Sequence, residues 1–265
     1  MQIKDTAICL RAVNYSETSQ VVTLFTRDHG KVAAMARGSR RTKSSFDGAI
    51  EVFSSGEVMF IIKDSGGQLA MLTEFSQQPR FRGFQKNLYM LNAALFAAEL
   101  TEKFLEDHDP HPDLFDKFQK FLETLQQTDT ESGILAWLIL YQLRILEETG
   151  LRPMLDACVN CGTVIKLSPC QGGVPRRGEG VEGRKGYNST IYFSSSHNGL
   201  LCPNCEMAFP EKRTIEPSLL EILNNPAKLP KTEMKKLQKI ENMLIYHFTE
   251  LLHKPPKMAK YFLKM

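Results

Sequence analysis

Three features of this sequence predict a multidomain α+β architecture, with an N-terminal β-barrel followed by an α-helical domain that carries a metal-binding module. Up to residue 78, short apolar and β-branched runs are separated by tight turn sequences, the pattern of strands. From residue 79 the apolar spacing lengthens to three and four, the period of helices. Two Cys-x-x-Cys pairs, Cys158/Cys161 and Cys202/Cys205, stand in a chain of 265 residues that has only six cysteines.

The strand runs are expected at residues 6–13, 20–26, 31–36, 57–62 and 68–73. Asp28-His29-Gly30 reads as a hairpin turn, because glycine takes positive φ without a steric penalty. Asp64-Ser65-Gly66-Gly67 reads as a second one. Five strands with turns this short suit a small closed barrel, for which the OB-fold is the common solution over residues 1–78. An open sheet packed on the helices is the alternative. Cys9 lies within the first strand and behaves as a small core hydrophobe in this reading.

In the helical part (residues 79–150), Leu88, Leu91, Leu95 and Ala98 form one apolar face. Leu114, Phe118, Phe121, Leu122 and Leu125 form the next, after a Pro-rich break at residues 107–112. His108 and His111 in that break are expected to be exposed connector residues. Residues 134–146 are apolar nearly all round, so this segment is expected to be the buried central helix, ended by Gly150. Past Pro217, Leu219, Leu220 and Leu223 form a short helix. Leu237, Ile240, Leu244, Phe248 and Leu251 form a longer one, ended at Pro255-Pro256. Residues 214–265 are expected to pack back on the 79–150 bundle.

Between these halves, residues 151–213 form the cysteine module. Two residues between cysteines let both sulfurs of a tight turn face one ion, and two such turns complete the four-thiolate set of a closed, structural Zn²⁺ site. Cys158, Cys161, Cys202 and Cys205 are therefore the predicted ligands of one structural zinc. A pair of disulfides is the blander reading and suits an oxidising compartment. Four cysteines leave no open position for a catalytic water. Residues 171–186, rich in Gly and Arg, have almost nothing apolar to bury and are expected to be a mobile loop. They lack the Gly-Lys-Ser/Thr ending of a phosphate-binding P-loop. Residues 191–193 read as a strand, and His197-Asn198-Gly199 as a turn in which His197 is a turn residue rather than a fifth ligand.

The net charge of +3 is too small to imply a polyanionic partner, so that inference must rest on clustering. The sharpest cluster is Arg37, Arg40, Arg41 and Lys43, four bases within residues 37–43 and no acid among them, preceded by Lys31. Hydroxyl side chains alternate with the bases, so charged and neutral donors could both reach phosphates. A basic loop leaving a barrel strand suits single-strand binding, with Phe46, Phe53 and Phe60 as candidate stacking platforms, although most strand aromatics are core residues. A solvated loop without a partner is the competing reading. Catalytic motifs are lacking: no His-x-Glu precedes Pro-Cys-x-x-Cys, and neither His-Glu-x-x-His nor Gly-x-Ser-x-Gly occurs. Residues 1–6 have no secretory apolar run, and residues 134–146 are too short to cross a bilayer. A soluble cytoplasmic protein without a membrane partner is the expectation.

Residues 15–26 (YSETSQVVTLFT), His29-Gly30-Lys31 and residues 36–44 (ARGSRRTKS) resemble the start of the RecO family of bacterial recombinational-repair proteins. Residues 148–162, residues 199–205, Tyr246-His247-Phe248 and residues 257–263 resemble its zinc segment and C-terminal helix, in the same order. The resemblance implies an OB-fold, a helical domain and a cysteine zinc site. It also implies a non-enzymatic, nucleoid-associated mediator of gap and double-strand-break repair. Such a mediator binds single- and double-stranded DNA and anneals complementary strands. It works with RecR and single-stranded-DNA-binding protein to assist RecA loading. The Gly/Arg-rich insertion at 172–186 departs from the family pattern, and either added DNA contacts or a spacer would account for it. An RNA-binding factor built from an OB-fold and a zinc ribbon is the alternative function, and a metal-dependent nuclease a third.

Overall fold

The computed structural model describes residues 2–62, 69–78, 81–165 and 190–263. Five strands, β1 (Gln2–Asn14), β2 (Gln20–Thr26), β3 (Gly30–Ala36), β4 (Ser55–Ile61) and β5 (Ala70–Gln78), close into a barrel in the order β1-β2-β3-β5-β4. Closure comes from two pairings that join strands far apart in sequence. β1 runs antiparallel to β4 from Gln2↔Ile61 to Ile8↔Ser55. β3 runs parallel to β5 through Ala34↔Ala70, Met35↔Met71 and Ala36↔Leu72. The open-sheet alternative is thereby excluded. β1 is longer than its apolar run because it serves two neighbours. Residues 2–8 pair with β4 and residues 7–14 with β2, and a register shift between Cys9 and Arg11 bends the strand around the barrel. The turn at Arg27-Asp28-His29 is the expected hairpin, with Gly30 at φ +68°. The expected turn at 64–67 lies outside the described residues.

Alternation along β2 and β3 sends Val22, Leu24, Val32, Ala34 and Ala36 into the barrel, all fully buried. Cys9 is among these inner residues, and burial pushes its thiol up to about 12, against a hydrogen bond at Arg11. It is a core residue, as its surroundings in the sequence predict. Phe46, Phe53 and Phe60 are 2%, 6% and 0% exposed. They are core residues, as strand aromatics mostly are, and not stacking platforms: an aromatic ring on a small barrel is the largest apolar surface available for burial.

The helices are α1 (Leu88–Phe104), α2 (Pro112–Gln126), α3 (Glu131–Glu148), α4 (Pro217–Leu223) and α5 (Met234–Leu252). Asn87 caps α1 by accepting from Met90 N, and Thr130 caps α3 by accepting from Gly133 N. Gly150, at φ +69°, follows the last turn of α3. α3 is the central helix, packed by α1, α2 and α5. Across the α3–α5 contact the Gln142 amide donates to Glu241 Oε1 at 2.8 Å, both side chains fully buried. No described helix is long and apolar enough to cross a membrane.

The barrel interior has its own apolar cluster, while Ile8, Leu10, Phe25 and Phe53 of the barrel domain join the core of the helices. Phe25 on β2 packs edge-on against Phe115, with ring centroids 5.3 Å apart. Gly30 sits so close to the α1–α2 connection that a Cβ there would lie 2.0 Å from the Asp109 carbonyl oxygen. In that connection His108 is exposed, as expected. His111 is not a free connector: only 17% of its side chain is exposed, held between Asp109 Oδ2 (3.2 Å) and Glu148 Oε1 (3.3 Å).

Four short strands make the second sheet, β6 (Met154–Cys158), β7 (Ile191–Ser194), β8 (Gly199–Leu201) and β9 (Arg213–Ile215), in the order β6-β8-β7-β9. Leu155, Ile191, Phe193, Leu200 and Ile215 join the helical core. Cys158, Leu201, Cys202 and Phe209 form a small cluster of their own.

Candidate nucleic-acid interface and metal centre

The four paired cysteines converge. Cys158 and Cys161 leave the end of β6, Cys202 and Cys205 follow β8, and the parallel β6–β8 pairing brings the two turns together. All four Sγ atoms lie within 4.8 Å of one another, and Cys161 Sγ is 3.7 Å from Cys202 Sγ. Every one of them is a free thiol, so the disulfide reading is excluded. Zn–S bonds of about 2.3 Å arranged as a tetrahedron put sulfurs about 3.8 Å apart, so the donor set fits one tetrahedral cation.

The protein half-prepares these thiols for ionisation. The Thr163 hydroxyl and N–H, bonding to its sulfur, bring Cys161 down to about 6. Burial opposes ionisation of Cys158, yet N–H groups at Cys202, Cys161 and Asn160 outweigh it and leave its pKa below the usual thiol value. Burial holds Cys202 up at about 12. Four thiolates this close repel one another strongly, and a central divalent cation is what would ionise the whole set. His197 is outside it, as its turn position predicts. Its Nδ1 is 2.9 Å from Ser196 Oγ and 3.2 Å from Ser194 Oγ. Both hydroxyls also donate to Glu211 Oε1, and these bonds bring the Glu211 carboxyl down to about 2.

In the barrel domain, Arg37, Arg40, Arg41 and Lys43 are all exposed on the irregular segment that follows β3. Arg37, Arg41 and Lys43 border one shallow depression with Ser44 and Ser45. The segment is held from beneath by Gln20, which is 4% exposed. Its Oε1 accepts from Ile50 N and from Ser39 Oγ, both at 2.9 Å, and its Nε2 donates to the Ile50 carbonyl at 3.0 Å. Arg40 ties the segment to the β1–β2 turn: its N–H donates to Thr18 O at 3.1 Å and its guanidinium to Ser16 O at 3.4 Å. Nothing in the sequence marks Gln20 for this role. A glutamine opening a strand is an ordinary surface residue until its buried partners are known.

Lys31 stands apart from this group. Only 16% of its side chain is exposed, and its ammonium is 3.2 Å from Asp107 Oδ1 and donates to the Glu102 carbonyl at 2.9 Å. It fastens the barrel to the helices. Residues 172–186 lie outside the described residues.

A closed, OB-like barrel with an acid-free basic segment at one end, joined to a helical body with four convergent thiols, makes this an OB-barrel protein with a second, metal-competent module. A family model described as Recombination protein O N terminal matches residues 1–77, and one described as Recombination protein O C terminal matches residues 85–257. The chain belongs to the RecO family of DNA repair proteins. It is 32% identical over 224 residues to the DNA repair protein RecO of Rhodopirellula baltica, covering 84% of this chain and 74% of that one. With the DNA repair protein RecO of Anaeromyxobacter dehalogenans (strain 2CP-C) it shares 34% over 211 residues, 79% and 72% of the two chains. With that of Bacillus subtilis it shares 29% over 225 residues, 84% and 76%.

Proposed function

We propose that this protein is a non-enzymatic DNA-repair mediator that binds single- and double-stranded DNA through Arg37, Arg40, Arg41 and Lys43 and promotes annealing of complementary strands. The observation that carries the reading is the exposure of these four side chains on one segment, with no acid among residues 37–43. A basic surface screens the repulsion between two phosphate backbones and raises their local concentration, so annealing needs no nucleotide hydrolysis. The named relatives are DNA repair proteins, which favours DNA over RNA as the ligand. In the same reading RecR and single-stranded-DNA-binding protein are its protein partners, RecA benefits indirectly, and the protein works at the nucleoid. Lys31 is left out of the DNA contact because its ammonium is engaged within the protein. The metal is one Zn²⁺ held by Cys158, Cys161, Cys202 and Cys205; its role is structural, since a four-thiolate set is closed to water.

Each phosphate contact on a single strand contributes about −0.7 to the log–log salt dependence of binding. Replacing all four bases by alanine is therefore expected to flatten the slope by roughly 3 and to weaken binding on every sequence alike. Folding should hardly change, because exposed charges contribute little to it. Salt titrations and an annealing assay on parent and quadruple variant check this. Equal binding and annealing at low and physiological salt would remove the segment from the DNA site.

A further inference from the structure

With Phe46, Phe53 and Phe60 buried, the basic segment needs another feature if it is to tell an unpaired strand from a duplex. The outer surface of the barrel beside it supplies one. Tyr15, in the β1–β2 turn, is 72% exposed. That turn is the one hydrogen-bonded to Arg40 through Ser16 and Thr18. Two residues before Tyr15 is Val13, 45% exposed, and Val13 stands opposite Val21, which stands opposite Met35. Val21 and Met35 are both partly exposed, on the outward side of strands whose alternate residues fill the barrel. The result is an outward apolar strip across β1, β2 and β3. Arg37 follows Met35 by two residues, as Tyr15 follows Val13. Tyr15 and Arg37 follow the ends of β1 and β3, and Ser19 joins the two ends: its carbonyl accepts from Tyr15 N at 2.9 Å and its hydroxyl from Gly38 N at 3.3 Å.

We propose that Tyr15, with the strip Val13–Val21–Met35 beside it, is a stacking platform for unpaired nucleobases whose phosphates rest on the basic segment. The inference deepens the DNA-binding reading given above and rests on it. An exposed phenol ring and adjacent methyl and thioether groups offer a base a flat apolar surface, and every base has a π-face to lay on it. A duplex cannot use the platform, since its bases are stacked on each other and show only their edges in the grooves. The strip crosses two strand spacings of about 4.8 Å each, room for a base and its neighbour. The four bases of residues 37–43 outnumber the one exposed acid of the Tyr15 turn, Glu17, so the surroundings select a polyanion rather than an apolar protein segment as the occupant. Phosphate contacts then set affinity and salt dependence, and Tyr15 adds preference for the unpaired state.

Binding of the full-length protein would be measured with three probes of equal length: oligothymidylate, a duplex, and a strand of abasic sugar-phosphate. Tyr15→Ala is expected to bind oligothymidylate about tenfold more weakly with an unchanged salt slope, and to bind the duplex and the abasic strand like the parent. Tyr15→Phe keeps the ring and is expected to behave as the parent on all three. Because Tyr15 is exposed, the melting temperature serves as the check that the fold is intact. Parent-like binding of oligothymidylate by Tyr15→Ala would overturn the platform, and so would an equal loss on all three probes. The alanine variant of Arg37, Arg40, Arg41 and Lys43 in the same assay reports separately on the basic segment. Its loss of all three probes upholds the segment as the phosphate site. Its retention of them sinks that reading while the oligothymidylate result for Tyr15→Ala still decides the base contact.

Discussion

Glu241 is a carboxylic acid enclosed between two helices with one amide for company. Burial raises its pKa from 4.5 to about 8, against the hydrogen bond from Gln142. Tyr89, also pushed up by burial, is close enough to sense its charge. In the unfolded chain the carboxyl ionises near 4.5, whereas in the folded protein it keeps its proton until about 8. The folded state therefore binds more protons than the unfolded one in that window, so stability falls as pH rises through it. Below the unfolded pKa the penalty is absent, and above about 8 it is complete. Glu241→Gln keeps the shape and removes the titration. Its melting temperature is expected to exceed that of the parent increasingly as pH rises from 5 to 8, with the difference smallest at the acid end. A difference that stays constant across this range would show that Glu241 does not titrate there.

Among the elements, the segment 37–50 has almost no regular hydrogen bonds and is held by β2 through Gln20 and by β5, whose Phe75 N donates to Ser45 O and whose Gln77 amide donates to Phe46 O and Gly48 O. Gln20→Ala would leave Ile50 N, Ile50 O and the Ser39 hydroxyl, all enclosed, without their partners. Each unsatisfied buried polar group costs roughly 1–3 kcal/mol, so a loss of about 3 kcal/mol is expected. DNA binding should weaken as well, because the four bases would be carried on a looser support. Denaturant unfolding and the same salt titration test both; an unchanged midpoint would mean the segment holds its shape without Gln20. Cys-x-x-Cys spacing and the density of Arg37, Arg40, Arg41 and Lys43 were readable in the sequence, because both are local patterns. The exposure of Tyr15 was not. A tyrosine beside a turn has the same neighbours in sequence whether its ring is covered or free, and only the packed barrel distinguishes the two.

For the molecule as a whole, the thiol cluster is joined to the main core through the second sheet. Leu200 and Phe193 are fully buried with the helices, while Leu201 and Cys202, just after Leu200, turn to the thiol cluster. Elemental analysis is expected to find about one zinc per chain. Cys158→Ser/Cys202→Ser, or strong chelation of the parent, should release it and lower the melting temperature by loosening the sheet and the helical surface under it. Binding through residues 37–43 should persist, since the barrel interior forms a separate cluster. A full zinc complement in the double variant would overturn the ligand assignment.

The sequence by itself determined what depends on near neighbours: the period-two and helical stretches, the turn at Gly30, the central apolar helix over 134–146, the two cysteine pairs and the basic segment. Each of these is set by backbone geometry and side-chain spacing within a few residues. Only the tertiary structure decided what depends on residues brought together from afar. Parallel pairing of β3 with β5 closed the barrel and buried Phe46 and Phe60. Lys31 was drawn out of the basic group by Glu102 and Asp107 on the far side of the domain contact. Glu241 met Gln142 across 99 residues of chain. In each case the burial or charge environment of a side chain is a property of its spatial neighbours, and chain order does not specify them until the fold is complete.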